Sequence, residues 1–312
     1  MVWYMDDSKI NTMKNAYVLY ANENYFDIVN VCAKSIRTFS ELPIYIYLLN
    51  SDKQINIHNA ITKRWDCNID IHENESMYVK SLENDNFYVN RSSKRIYRLI
   101  KERPLIVKDA LKYADNVCYI DCDSVATPYI DRVFELFNKH SFYPFFTEGI
   151  YDYLMINGRG GAESFDDLST TLEHPACELL GINQYNRRTY RSSNIFVSGQ
   201  NCIEFLDTWY WMMIHPKILE SPEFYAPFED ETIANCLLWK NKFYNGLPYV
   251  YTNASLDKIY EINEVYNKEF TGEVKYISEW FKLPSKKENL LAFHGEKRID
   301  IMEQMIEKLK YV

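Results

Sequence analysis

The sequence predicts an α/β domain built on a mixed, mainly parallel sheet flanked by helices. Two observations carry that expectation. Short, continuous apolar runs rich in β-formers alternate with stretches of helical spacing, the pattern of parallel strands buried on both faces. One of those runs, over 117–120, ends in Asp121-Cys122-Asp123, and ligand sites in open α/β sheets lie beyond the carboxyl ends of strands.

The elements follow in order. Residues 16–21 are an apolar run read as a buried strand, opening into the polar Asn22, Glu23 and Asn24. Residues 26–39 carry Ile28, Val29, Cys32, Ile36 and Phe39 near helical spacing. Residues 43–49 form a second strand, 60–65 a short helix and 68–72 a third, weaker strand. The polar stretch 73–93 reads as a surface loop, followed by a basic cluster of Lys94, Arg95, Arg98, Lys101 and Arg103. Such a cluster is usually a solvated helix face. Pro104 can occupy the first turn of a helix over 105–114. Residues 129–139 read as a helix and 142–147 as a strand. Beyond an unpatterned stretch over 148–188, a strand ends at Gly199, and an aromatic helix over 201–214 is assigned to core packing. An acidic helix start at Glu229, Asp230 and Glu231, a strand over 289–293 and an amphipathic C-terminal helix complete the chain.

Size and composition bound the function. At 312 residues the chain suffices for a large core, and 47% apolar with 25% charged residues is ordinary for a globular protein. Its net charge of −9 lacks the basic footprint of non-specific nucleic-acid binding, so no nucleic-acid partner is expected. Seven cysteines show no metal-binding spacing; an odd number of them beside a large core fits a reduced, cytoplasmic protein. No signal-peptide pattern and no transmembrane run is found. The 26 tyrosines are unusual, each an apolar ring with a polar tip suited to a core margin or a binding cleft.

The Asp-x-Asp turn is the main chemical signal. In an extended chain, residues i and i+2 share a side, so Asp121 and Asp123 can aim two carboxylates at one point while Cys122 turns away. Carboxylates so placed repel unless a positive charge lies between them, and a hard divalent cation suits them. The plain alternative is an acidic turn after a strand. For Glu229–Glu231 it is simple compatibility with the helix dipole.

Taken in order, Ala21-Asn22 with Tyr25, Arg98-Leu99, Asp121-Cys122-Asp123, Ser193-Asn194 leading to Gly199, the acidic start at 229–231 and Phe293-His294-Gly295 with Lys297 resemble nucleotide-sugar glycosyltransferases of the Rossmann-like GT-A fold. The closest resemblance is to the glycogenin-like group, glycosyltransferase family 8, and covers roughly residues 15–300. It implies a single catalytic domain over 1–312, with a nucleotide-sugar-binding half over about 15–126. An acceptor-binding half with a C-terminal helix would follow over about 127–312. It implies a hexosyl or related transferase using Mn²⁺ or Mg²⁺ and a nucleoside-diphosphate sugar, UDP-linked, with a glycan, protein or small-molecule acceptor left open. Ala21, Asn22 and Tyr25 would take the base, Arg98 and Lys297 the diphosphate, and Asp121, Asp123 and His294 the metal, with Asp121 also near the ribose. Asn194 would face the transferred sugar, and Asp230 or Glu231 would lie near the reacting centre. The late motif is shorter than the family's usual form. Two rivals remain: a haloacid-dehalogenase-type phosphatase using Asp121, and a catalytically inactive relative that binds a carbohydrate or a protein.

Overall fold

The computed structural model describes residues 14–67, 99–134, 175–182, 195–219, 229–240, 259–261, 290–292 and 299–311. Five strands form the main sheet: β1 (Asn15–Ala21), β2 (Ile44–Leu49), β3 (Ala60–Trp65), β4 (Asn116–Ile120) and β6 (Ile195–Gly199), in the order β3-β2-β1-β4-β6. β6 runs antiparallel to β4, and the other pairings are parallel. A second sheet joins β5 (Ser124–Ala126), β8 (Leu290–Ala292) and β7 (Ile259–Glu261), in that order. The mixed, mainly parallel sheet expected from the apolar runs is therefore present.

The sheet buries both faces, and the pleat divides its side chains between two cores. Val18, Tyr20, Tyr45, Tyr47, Val117 and Tyr119 point to one side. Tyr17, Leu19, Ile44, Ile46, Cys118 and Ile120 point to the other. The first core is therefore rich in tyrosine, whose rings fill volume while the hydroxyls reach partly buried carboxylates. Tyr47 donates to Asp109 Oδ2 at 2.8 Å.

Helix α1 (Phe26–Phe39) covers the aliphatic side through Val29, Cys32, Ala33 and Ile36. Its other flank, Ile28 and Val31, meets Met302, Met305, Ile306 and Leu309 of the C-terminal helix α7 (Ile299–Leu309). The Ser35 hydroxyl accepts from the Ala126 amide at 2.9 Å, tying α1 to β5. α1 ends at Ser40, whose amide still reaches the Ile36 carbonyl, and Pro43 a few residues on disfavours continuation.

The tyrosine side is covered by α2 (Arg103–Ala110), α4 (Ile203–Met213) and α6 (Glu229–Lys240). Two short helices, α3 (Pro175–Leu180) and α5 (Pro216–Leu219), join the same layer. Trp209 of α4 is fully buried, as the packing assignment requires, whereas Trp211 is half-exposed.

Two expectations are corrected. Residues 60–65 are a strand, not a short helix, paired along its length with β2 from Ile44↔Ala60 to Leu49↔Trp65. Six residues are too few to stabilise an isolated helix, whereas a ladder beside β2 satisfies the backbone of β-branched Ile61 and Thr62. The basic cluster is not a solvated face where it is described, because Lys101 and Arg103 are both buried. Helix α2 also starts earlier than expected, with Pro104 in its first turn, and ends at Ala110, the chain leaving in tighter turns over 111–113. The expected strands over 68–72 and 142–147, and the end of the helix over 129–139, lie outside the described residues.

Candidate active site

β1 and β4 are neighbours, yet the chain passes from β1 outward to β2 and returns to β4 on the other side. This reversal leaves a crevice at the carboxyl ends of β1 and β4, where open α/β sheets bind ligands. Ala21-Asn22 and Asp121-Cys122-Asp123 stand at that edge. β6 brings its start there as well, since Ile195 pairs with Ile120. The Ser124↔Ala292 pairing sets the end of β8 beside the Asp-x-Asp turn.

The site's central side chain is Arg103, at the start of α2. Its Nη1 donates to Asp230 Oδ2 at 2.6 Å and its Nη2 to Asp121 Oδ1 at 3.1 Å. One guanidinium thus joins the end of β4 to the start of α6, and Arg103 and Asp230 are 127 residues apart in sequence. Both Arg103 and Asp230 are buried. The guanidinium lies 4.9 Å over the Tyr119 ring, close to Tyr20. The Tyr119 hydroxyl also donates to Asp121 Oδ1. Trp209 fixes the backbone of Asp230, donating from Nε1 to its carbonyl at 2.9 Å.

The electrostatics follow from burial and charge. Burial works to lower the Arg103 pKa, but Tyr119, Asp121, Asp230 and Tyr20 together carry it well above its ordinary value. Burial raises Tyr119 well above the usual tyrosine range, with Arg103 opposing and Asp121 adding to the rise. Tyr20 is raised in the same way, by burial first. The cluster therefore holds a fixed cation between two carboxylates, with the protonated Tyr119 hydroxyl as a donor to Asp121.

Beside it, Asn22 has a buried side-chain oxygen with no hydrogen-bond partner among the described residues. Such an oxygen is costly unless a ligand or water satisfies it. Tyr25 is partly buried and close to the Asp-x-Asp turn: burial, then Cys122 and Asp123, raises its pKa. Ala21 is buried, so only its backbone can face the crevice. Cys122 packs against both the aliphatic core and the α1–α7 contact.

Ala21, Asn22, Tyr25, Asp121, Asp123 and Asp230 are thus placed around one edge or its buried ion pair. Arg98, Asn194, His294 and Lys297 lie outside the described residues, as does the side chain of Glu231. No cluster of three or more metal-ligating side chains occurs among the described residues. The two aspartates are hard oxygen donors suited to Mg²⁺ or Mn²⁺, and Oδ2 of Asp121 has no protein partner among the described residues.

Sequence reasoning missed Arg103, Tyr119 and Tyr20. Tyr119 carried a readable signal, since it lies two residues before Asp121 and so on its side of the strand. Nothing in the basic cluster separated Arg103 from Arg98.

A mainly parallel sheet with one antiparallel strand, flanked by helices and ending in an Asp-x-Asp turn, has the GT-A-like fold of glycosyltransferases. Two solved structures, WbbM and Ktr4p, agree on that fold. The apo structure of the bifunctional glycosyltransferase WbbM aligns with a TM-score of 0.51 at 15% identity, over 96% of this chain and 52% of that one. The chain therefore spans about half the length of WbbM. The mannosyltransferase Ktr4p from S. cerevisiae, in complex with GDP, aligns at 0.50 and 11% identity, over 75% of this chain and 68% of that one. The galactosyltransferase LgtC, in complex with donor and acceptor sugar analogs, gives 0.43 at 13% identity, covering 95% of each chain. No protein-family model matches the chain, and no curated protein does. No helix among the described residues is long and apolar enough to cross a membrane.

Proposed function

We propose that this chain is a metal-dependent glycosyltransferase of the glycogenin-like group, moving a hexosyl or related sugar from a UDP-linked donor to a hydroxyl acceptor. The observation that carries the reading is the Arg103 bridge between Asp121 and Asp230 at the switch-point edge, beside the orphaned Asn22 oxygen. A buried cation flanked by two carboxylates and an unpaired acceptor is a costly arrangement for stability alone. It suits a site that must recognise a charged, hydroxyl-rich ligand.

Asn22 and Tyr25 would take the base, by hydrogen bond and by ring stacking, with the backbone of Ala21 closing the pocket. Asp121, Asp123 and His294 would hold Mn²⁺ or Mg²⁺, the imidazole tilting the set towards Mn²⁺. The Ser124↔Ala292 register supports His294, because the strand preceding it ends beside the turn. When bound, the cation supplies Lewis-acid stabilisation of charge on the departing diphosphate. Arg98 and Lys297 would add charge-assisted contacts. Asn194 would face the transferred sugar, a reading supported by the Ile195↔Ile120 pairing, which brings the start of β6 to the same edge.

Asp230 is engaged by Arg103 at 2.6 Å, rather than open to an acceptor hydroxyl. This supports a role in steadying the transferred sugar over one as general base, and leaves Glu231 as the other acidic candidate. The nucleotide half would occupy about 15–126 and the acceptor half about 127–312, with acceptor choice made in 148–188 and 241–288.

The test is release of nucleoside diphosphate from UDP-, GDP- and CDP-hexoses, with and without Mn²⁺. Metal-dependent turnover of a UDP-sugar, lost in Asp123→Ala, is expected. Release that is independent of metal and unchanged in that variant would overturn the reading.

A further inference from the structure

We propose that Tyr119 is a positioning residue, its hydroxyl and Arg103 together occupying Oδ1 of Asp121 so that Oδ2 of the same carboxylate is presented to a divalent cation. This rests on the reading of Asp121 as a cation ligand and assigns a task to a residue outside that ligand set. The geometry begins with sequence spacing. Tyr119 and Asp121 are two residues apart where β4 ends, so both project from the same side of the strand. Tyr119 is buried at 1% exposure. Its ring is stacked on Phe196 at 4.9 Å and tilted against Tyr20 at 5.7 Å, with the Arg103 guanidinium over it at 4.9 Å. Three neighbours from β6, β1 and α2 thus fix the ring, and with it the hydroxyl.

A lone arginine facing a carboxylate tends to take both oxygens in a fork. Arg103 is not available for that, because Nη1 is committed to Asp230 at 2.6 Å and only Nη2 reaches Asp121, at 3.1 Å. The Tyr119 hydroxyl has one proton to donate and gives it to the oxygen that Nη2 already holds. Both tethers therefore meet on Oδ1. The carboxylate is held at one corner, and its second oxygen has no protein partner among the described residues. Hydrogen bonds that orient a ligating carboxylate influence metal affinity through the geometry they impose.

Tyr119→Phe is the clean perturbation, since it keeps the ring, the stack and the cation–π contact and removes only the hydroxyl. Calorimetric titration of Mn²⁺ into protein with UDP, GDP or CDP gives the metal affinity, and titration of the nucleotide at saturating Mn²⁺ gives the nucleotide affinity. The expected result is an Mn²⁺ dissociation constant raised about 10- to 100-fold, with nucleotide affinity recovering towards wild type once Mn²⁺ saturates. Phe196→Leu, which loosens the same stack but keeps the hydroxyl, should lower the melting temperature and raise the Mn²⁺ constant much less than Tyr119→Phe does. An Mn²⁺ constant in Tyr119→Phe within twofold of wild type would overturn the proposal, as would an equal shift in Phe196→Leu. If wild-type protein binds none of the nucleotides with Mn²⁺, the site reading falls first, and the role of Tyr119 falls with it.

Discussion

Arg103→Met isolates the main electrostatic feature of the structure. Methionine follows the path of the arginine stem and fills irregular space, so the change removes charge and hydrogen bonds more than volume. Asp230, almost fully buried, would lose the contact at 2.6 Å, and Asp121, with a side chain 21% exposed, the contact at 3.1 Å. Removing one partner of a buried ion pair costs about 3–5 kcal/mol, because the other charge stays behind. Asp121 can rehydrate and adds little, while the lost cation–π contact with Tyr119 adds up to about 2 kcal/mol. The expected loss is therefore about 3–7 kcal/mol, a large share of the roughly 5–15 kcal/mol by which domains are stable. Equilibrium urea denaturation followed by far-UV circular dichroism measures it, with an unchanged slope showing that the native state stays compact. Replacing the stranded charge as well, in Arg103→Met/Asp230→Leu, should recover much of the loss. A loss below about 1 kcal/mol for the single variant, or no recovery in the double one, would refute the claim that Arg103 neutralises Asp230 in the core; the threshold is that of an ordinary point substitution.

Two further outcomes are expected. Burial raises the pKa of Tyr17, Tyr20, Tyr47 and Tyr119, so each native hydroxyl keeps its proton where the unfolded chain, titrating at about pH 10, has released it. Their contribution is complete below about pH 10 and is lost above it, at up to about 1.4 kcal/mol per pH unit for each tyrosine. Urea midpoints should therefore be level on the neutral side and fall in the alkaline range, and a flat alkaline limb would contradict the assignment. Ile46→Ala, in a fully buried position on β2, should cost about 2–5 kcal/mol by leaving a cavity, read in the same urea experiment.

Sequence pattern carried far where one physical force dominates. The strands at 15–21 and 44–49 are continuous apolar runs, and the helix at 26–39 shows helical spacing, because each buries surface on a fixed period. Residues 60–65 were harder, since what makes them a strand is the neighbouring edge of β2 and not their own composition. The site divides the same way. Asp121 and Asp123 were legible from an i, i+2 spacing at a strand end. Asp230 was legible only as an acidic helix start, because its partner Arg103 is 127 residues away. The burial of Arg103 against Asp121 and Asp230 depends on how α2 is seated against β1 and β4, a tertiary fact without a local signature. Tyrosine abundance was visible, but its concentration on one face of the sheet, with hydroxyls directed at Asp109 and Asp121, emerges only once the strands are paired.

The central claim is that the crevice at the ends of β1 and β4 binds a nucleoside diphosphate together with a divalent cation. Melting temperature with UDP, GDP or CDP, each with and without Mn²⁺, tests it most directly. A ligand at a hundred times its dissociation constant stabilises the native state by about 2.7 kcal/mol, which for a domain of this size is a rise of about 4 °C. The account predicts such a rise for UDP only with Mn²⁺ present, and its disappearance in Asp123→Ala. Level melting curves for every nucleotide, or a rise that survives Asp123→Ala, would contradict it.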